Sequence, residues 1–397
     1  MTSAAIGDTW TSRAAALRDE LVAAGKLTAR EWQEAVLAVP RHEFVPEFYE
    51  HGPAGWELVS AASPETRERW WHGVYTNTSL VTRIGDTSRG GPPTIGPTSS
   101  SSAPSLMTRM LEALDLRDGH RVLEIGTGTG YNAALMSHRL GAANVFSVDV
   151  NADLVDGARA RLAATGYHPT LATTDGVGGL HRYAPYDRII ATCAVSRVPW
   201  AWAEQTVYDG HVLVDVKIAE SVGNLVLLRR YGDRLEGRFD SGYATFMHMR
   251  TPAFSASPRP AATRDRGNAT QRTTTNLAER IWENPPLWFL LHLREQGPTR
   301  FGYAMDPDTG DPGPLFFVSH DGSWCELVTA NDGTRTVWEG GPRPLWRSIE
   351  DTTALWHHLG EPGWDRFGLT VHSDEIQHVW LDTPDAPHRW PVVVSRS

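Results

Sequence analysis

Between Val122 and Tyr131 the chain reads Val-Leu-Glu-Ile-Gly-Thr-Gly-Thr-Gly-Tyr, an apolar stretch suited to a buried strand that runs into alternating glycines. Glycine at such a strand end lets backbone N–H groups approach a ligand, because no Cβ stands in the way. A dinucleotide-binding turn spaces its glycines as GxGxxG and seats a diphosphate at the helix N-terminus. Here the spacing is GxGxG, and Glu124 stands two positions before the first glycine. A carboxylate there repels a diphosphate and attracts a cationic amino-acid group. Glu124, Gly126, Thr127, Gly128, Thr129 and Gly130 therefore point to S-adenosyl-L-methionine as cofactor, with S-adenosyl-L-homocysteine as its product. Asp149 ends the next apolar segment, and its two oxygens can accept bonds from both ribose hydroxyls. Asp175-Gly176 offers an acceptor for the adenine amino group beside a permissive backbone. No metal is expected: His357-His358 lack companion ligands at metal-binding spacing, and Cys193 and Cys325 lie far apart outside any CxxC pair.

Such residues work only if a parallel sheet delivers them to one edge. Apolar segments at Arg121–Ile125, Asn144–Val150, Arg188–Thr192 and His211–Val216 read as strands, with helices over Gly130–Leu140 and Ala152–Thr165 between them. This alternation predicts an α/β, doubly wound sheet. A helical preface precedes it: Trp10–Ala24, then Thr28–Val36 with Thr28 as N-cap and Glu31 three residues on. The Gly, Pro, Ser and Thr content of Gly52–Ser102 predicts covering loops. Residues 1–254 are expected to form the catalytic domain, 255–276 a linker, and 277–397 a smaller α+β C-terminal domain. In the last, Leu277–Leu293 reads as a helix, Leu315–Ser319 and Trp324–Val328 as strands, and Phe367–Val371 with Ile376–Leu381 as a hairpin. Nine of the sixteen tryptophans follow Arg280, which makes this region a candidate for peptide recognition or for an aromatic core of its own.

A net charge of −10 at pH 7 disfavours nucleic acid as a partner, because polyanion binding needs a basic surface. The chain has no run of apolar residues long enough for a membrane span and no basic-then-apolar start, so a cytoplasmic location is expected.

From about Leu17 to Ile218 the chain resembles the protein-L-isoaspartate O-methyltransferase family. The resemblance rests on Val36-Leu37-Ala38-Val39-Pro40-Arg41-His42-Glu43-Phe44-Val45-Pro46, on Ser102-Ala103-Pro104, on the glycine run, and on Ala184-Pro185-Tyr186-Asp187-Arg188-Ile189-Ile190. It implies a class I, Rossmann-like methyltransferase fold and a peptide or protein substrate. The family's Thr-Ile-Ser-x-Pro signature falls on Ser100-Ser101-Ser102-Ala103-Pro104, which carries the active-site serine to Ser102 and makes Ser100 and Ser101 cofactor-side contacts. Here serines replace the family's Thr-Ile. The length beyond the family core resembles variant members that act on ribosomally made, modified peptides: lanthipeptides, lasso peptides and graspetides. That resemblance implies methylation of an aspartyl side chain in a cyclised precursor peptide, leading to a succinimide (aspartimide) or isoaspartate. The alternatives are conventional isoaspartate repair and a non-catalytic peptide-binding protein that keeps the cofactor fold.

Overall fold

Val122–Ile125 is buried at every position, which requires protein on both faces of that strand. The computed structural model, which describes residues 3–87, 94–219, 221–250, 264–274, 278–305, 309–330 and 332–393, supplies both. Helices α1 (Ser3–Ala23), α2 (Arg30–Ala38) and α3 (Arg41–Phe44) come first. The cap expected of Thr28 is made differently. Its N–H and hydroxyl and the Ala29 N–H all donate to the Glu112 carboxylate, at 2.6, 2.9 and 2.7 Å. A carboxylate from a distant segment thus serves amides just before the helix, where a local side chain was expected.

The loops expected over Gly52–Ser102 are largely a sheet. Strands β1 (Glu47–Gly52), β2 (Gly55–Ser60), β3 (Leu80–Asp86) and β4 (Ile95–Ser101) pair antiparallel in the order β2-β1-β3-β4, with α4 (Arg67–Val74) between β2 and β3. Gly and Pro have low strand propensity, and serine adds little to it. Here backbone pairing, from Leu80↔Ser101 to Asp86↔Ile95, supplies the order that side chains do not advertise.

Next come α5 (Pro104–Ala113), β5 (Val122–Ile125), α6 (Tyr131–Leu140), β6 (Val145–Asp149), α7 (Ala152–Ala164), β7 (Thr170–Thr173), β8 (Tyr186–Val195), α8 (Trp200–Glu204) and β9 (Thr206–Ala219). Strands β7-β6-β5-β8-β9 are parallel, as the alternation predicts. Successive side chains of β5 face opposite layers. Val122 packs in the cluster that holds Leu17, Met110 and Leu135, whereas Leu123 and Ile125 pack with Ile189, Val212 and Trp202.

Strands β10 (Val222–Arg230) and β11 (Arg234–Phe239) continue this sheet antiparallel. Of the expected linker, residues 255–263 and 275–276 lie outside the described residues. The rest is ordered as a short turn and β12 (Thr270–Thr274). The expected helix Leu277–Leu293 is split: a 3-10 stretch over Ala278–Glu283 is broken at Arg280, and α9 (Pro285–Glu295) starts anew with the Asn284 side chain accepting from Leu287 N–H. Then come β13 (Thr299–Met305), β14 (Pro312–Ser319), β15 (Trp324–Thr329), β16 (Arg335–Gly340), α10 (Leu345–His358), β17 (Phe367–His372), β18 (Gln377–Leu381) and β19 (Arg389–Pro391).

Strands β12-β16-β15-β14-β13 form a separate antiparallel sheet, but β17 pairs with β11. The last three strands therefore complete a ten-stranded sheet, β19-β18-β17-β11-β10-β9-β8-β5-β6-β7. Strand pairing crosses the boundary expected after residue 254. Apolar burial crosses it too: Phe289 of α9, buried on nearly every side, meets Phe239 at 5.3 Å, Trp364 at 4.9 Å and Phe367 at 5.7 Å between ring centroids. Most of the late tryptophans belong to this core: Trp288, Trp346 and Trp364 are buried within it and Trp282, Trp356 and Trp390 pack against it, while Trp324 and Trp380 are buried elsewhere. No described helix is long and apolar enough to cross a membrane.

Candidate active site

At the C-terminal ends of β5, β6 and β8 lies a cavity of about 370 Å³. Ser100, Ser101, Ser102, Glu124, Gly126, Thr127, Gly128, Thr129, Asp149 and Gly176 all line it. Gly130 and Asp175 are not on its wall. A Cβ on Gly130 would stand 3.1 Å from Ala158 Cβ, so its missing side chain lets α7 pack close. Asp175 accepts from Val177 N–H at 3.0 Å and opens a short 3-10 turn whose first residue is Gly176. Gly176 is held tightly in the wall, since a Cβ there would meet Ile125 Cγ2 at 2.6 Å and Met249 Sδ at 3.1 Å.

Glu124 is fully buried, and its carboxylate accepts from Asn132 Nδ2 at 2.8 Å and Ser147 Oγ at 2.6 Å. Burial pushes its carboxyl up to about 7 despite these bonds. Asn132 Oδ1, also buried, has no partner, although Asn132 lines the cavity. Asp149 is held by backbone donors, Gly128 N–H at 3.1 Å and Asn151 N–H at 3.0 Å. Carboxylates gather around the cavity's β8 wall: after burial itself, Asp149, Asp215 and Glu124 together push the Cys193 thiol upward. An acceptor set of this kind, with Asn132 Oδ1 unmet and glycines that leave space, fits a cationic nucleoside ligand such as S-adenosylmethionine.

The serine wall is β4, and its position depends on an arginine in the Pro40–Pro46 motif. Arg41 is fully buried and donates to the carbonyls of Val74 (2.8 Å), Thr76 (3.1 Å), Thr78 (3.2 Å) and Ser102 (3.2 Å). Burial lowers its guanidinium to about 10, still charged at neutral pH. The motif is legible in the sequence, but the task of Arg41 is not. Arg83 ties the same small sheet to the N-terminus of α7, through Asn151 Oδ1 at 3.1 Å and Asp153 at 3.5 Å.

The segment Thr245–Arg250 carries no motif in the sequence, yet all of it lines the cavity. It runs parallel alongside the end of β8 as a strap, with Ala194 N–H donating to Met247 O at 2.8 Å and Met249 N–H to Ala194 O at 2.7 Å. Asp215 accepts from Phe246 N–H at 2.8 Å, and Lys217 Nζ donates to Phe246 O. Both side chains are buried, 3.8 Å apart. In the sequence Asp215 and Lys217 are only an acidic–basic pair two positions apart on a strand.

A parallel strand order with the glycine turn at its centre and acidic residues at the strand ends defines a class I S-adenosylmethionine-dependent methyltransferase. The family model described as protein-L-isoaspartate(D-aspartate) O-methyltransferase matches residues 86–240. A protein-L-isoaspartate O-methyltransferase of Ignicoccus hospitalis is 35% identical over 211 residues, which is 53% of this chain and 83% of the relative. One from Methylorubrum populi is 39% identical over 159 residues, 40% of this chain and 74% of the relative. A solved protein-L-isoaspartate O-methyltransferase shares the fold over 92% of this chain and 99% of its own, at 22% identity and a TM-score of 0.51. The chain belongs to the protein-L-isoaspartate O-methyltransferase family and is an enzyme of that type.

Proposed function

We propose that the enzyme methylates an aspartyl side-chain carboxylate in a constrained, ribosomally made peptide, and that the ester then closes to a succinimide, whose hydrolysis gives isoaspartate. The observation that carries this reading is the extension. Residues beyond the family match at 240 are built into the main sheet and place aromatic residues at the β9–β10 turn. Remote contacts of that kind can supply binding energy to orient a reacting group.

When bound, the cofactor would supply an electrophilic methyl group on a sulfonium for transfer to a carboxylate oxygen, with S-adenosylhomocysteine as the leaving product. In the proposed arrangement Asp149, already oriented by two amides, accepts the ribose hydroxyls. Gly126, Thr127, Gly128 and Thr129 give the ligand room, Gly176 shapes the wall, and Glu124 with Asn132 answers the ammonium group. Gly130 serves by packing, and Asp175 by shaping the turn that sets Gly176. The acceptor, with a reference pKa of ~3.9, is already an anion at neutral pH and needs no general base. Ser102 orients it through its hydroxyl, Arg41 fixes the Ser102 carbonyl, and Ser100 and Ser101 shape the wall. The strap and β4 exclude water where charge is neutralised. Ring closure follows when the next backbone nitrogen attacks the ester carbonyl and methanol leaves.

A second reading, repair of isoaspartyl residues in damaged proteins, is favoured by the relatives' names and by the fold likeness that runs through nearly the whole chain. Mass spectrometry of the full-length enzyme with a cyclised precursor, its linear form and a generic isoaspartyl peptide separates the two. Loss of one water mass from the cyclised peptide alone is the expected result. Preference for the generic peptide overturns the biosynthetic reading in favour of repair. Failure of all three despite tight cofactor binding points to a peptide-binding protein.

A further inference from the structure

A second cavity, of about 330 Å³, is walled by Trp282, Pro285, Trp288, Phe301, Trp364 and Tyr243. Its rings are ordered: Trp282 stacks on Phe301 with centroids 4.0 Å apart and planes 12° apart, and Trp288 stands edge-on to Phe301 at 6.0 Å. A well-packed core would close such a space. Here Tyr243 and Phe301 remain 49% and 40% exposed, so the aromatic wall reaches solvent. No charged side chain among the described residues lines it.

Its position relates it to the active site. Ser221, Val222 and Gly223, at the turn from β9 to β10, also line this cavity. Because β9 runs parallel with β8 and β8 with β5, the C-terminal end of β9 lies on the sheet edge that holds the first cavity. One stretch of backbone contributes to both walls, Tyr243 to the second cavity and Thr245 to the first. Two residues span at most about 7 Å, well within reach of one bound polypeptide.

We infer that the aromatic cavity is an exosite of the methyltransferase, taking one uncharged apolar side chain, aromatic or aliphatic, of the same polypeptide whose carboxylate is methylated next door. The inference rests on the peptide-methylating reading above. Continuity of the walls argues for a side chain of the acceptor over a separate ligand, and the uncharged lining selects an apolar group. The volume is at the small end of ligand pockets, and buried aromatic anchors carry much of the energy of peptide interfaces.

The test uses full-length enzyme and the cyclised aspartyl precursor peptide in which one position flanking the acceptor at a time is Trp, Leu, Lys or Gly. At the matching position, Trp or Leu should lower KM about tenfold relative to Gly or Lys. Phe301→Ala and Tyr243→Ala, both at partly exposed sites, should bring the Trp peptide to the KM of the Gly peptide. Equal KM for all four peptides with wild-type enzyme overturns the inference. So does a variant effect of equal size on the Trp and Gly peptides, which would mark a purely structural role. Binding to the S-adenosylhomocysteine complex, followed by tryptophan fluorescence, decides the matter apart from turnover. Trp-peptide binding lost in Phe301→Ala upholds the exosite even if no peptide is methylated, in which case the activity reading alone fails. Methylation with no side-chain preference in binding overturns the exosite alone.

Discussion

Glu124 combines complete burial with a carboxyl near neutrality, so its protonation is linked to cofactor binding. In the free enzyme it holds a proton below about pH 7, and a cation beside it favours the charged form. Binding therefore expels that proton at pH 6 but not at pH 8, where it has already left. Affinity for S-adenosylmethionine should fall by up to tenfold per pH unit below 7. Calorimetry in buffers of different ionisation enthalpy reads the released proton, and Glu124→Gln should remove the dependence while weakening binding. Asp149→Ala should weaken binding by roughly 1–3 kcal/mol through lost hydrogen bonds; unchanged affinity in a folded variant would count against its ribose role. Ser102→Ala should keep cofactor affinity and slow single-turnover methyl transfer at saturating peptide. The Glu124–Gly130 run was legible because each residue type carries its own chemistry. Arg41 was not, because its task is to gather carbonyls from segments that meet only in the fold.

The parallel strands were readable as elements because burial on both faces demands continuous apolar runs such as Val122–Ile125. β4 was not, since Ile95–Ser101 owes its strand to pairing with β3 and carries few side chains that announce one. The start of α2 misled for a similar reason: Thr28 has the right type for a cap, yet Glu112 takes its N–H and hydroxyl. Glu112→Ala should cost roughly 0.5–2 kcal/mol, as a lost cap does, seen as a lower denaturant midpoint with an unchanged slope. The strap makes a sharper test. Burial pushes Asp215 up to about 6 even with Lys217 beside it, so Lys217→Met strands a buried carboxylate and should cost about 3–5 kcal/mol at pH 7.5. Adding Asp215→Asn to it should recover part of that loss.

At the level of the molecule, the sequence divides at 255–276 by composition, but the hydrogen bonds do not. Nothing local in Arg234–Phe239 announces that its partner strand is Phe367–His372, because such long-range pairing leaves no short-range pattern. With β17 paired to β11 and Phe289 packed on Phe239, the two halves should melt together. Scanning calorimetry is expected to show one transition; two well-separated transitions would show independent units. For the same reason a chain cut after Ser255 should aggregate, since it exposes β11 and an apolar face, and point variants are the cleaner probe of the extension. The sheet order also sets a timetable for synthesis. A ribosome adding about 5–20 residues per second needs on the order of ten seconds to pass from Phe239 to Phe367. For that interval the nascent β11 waits with an open edge, and the alternating Arg234, Glu236 and Arg238 place charges along it that discourage a stranger's strand from pairing first.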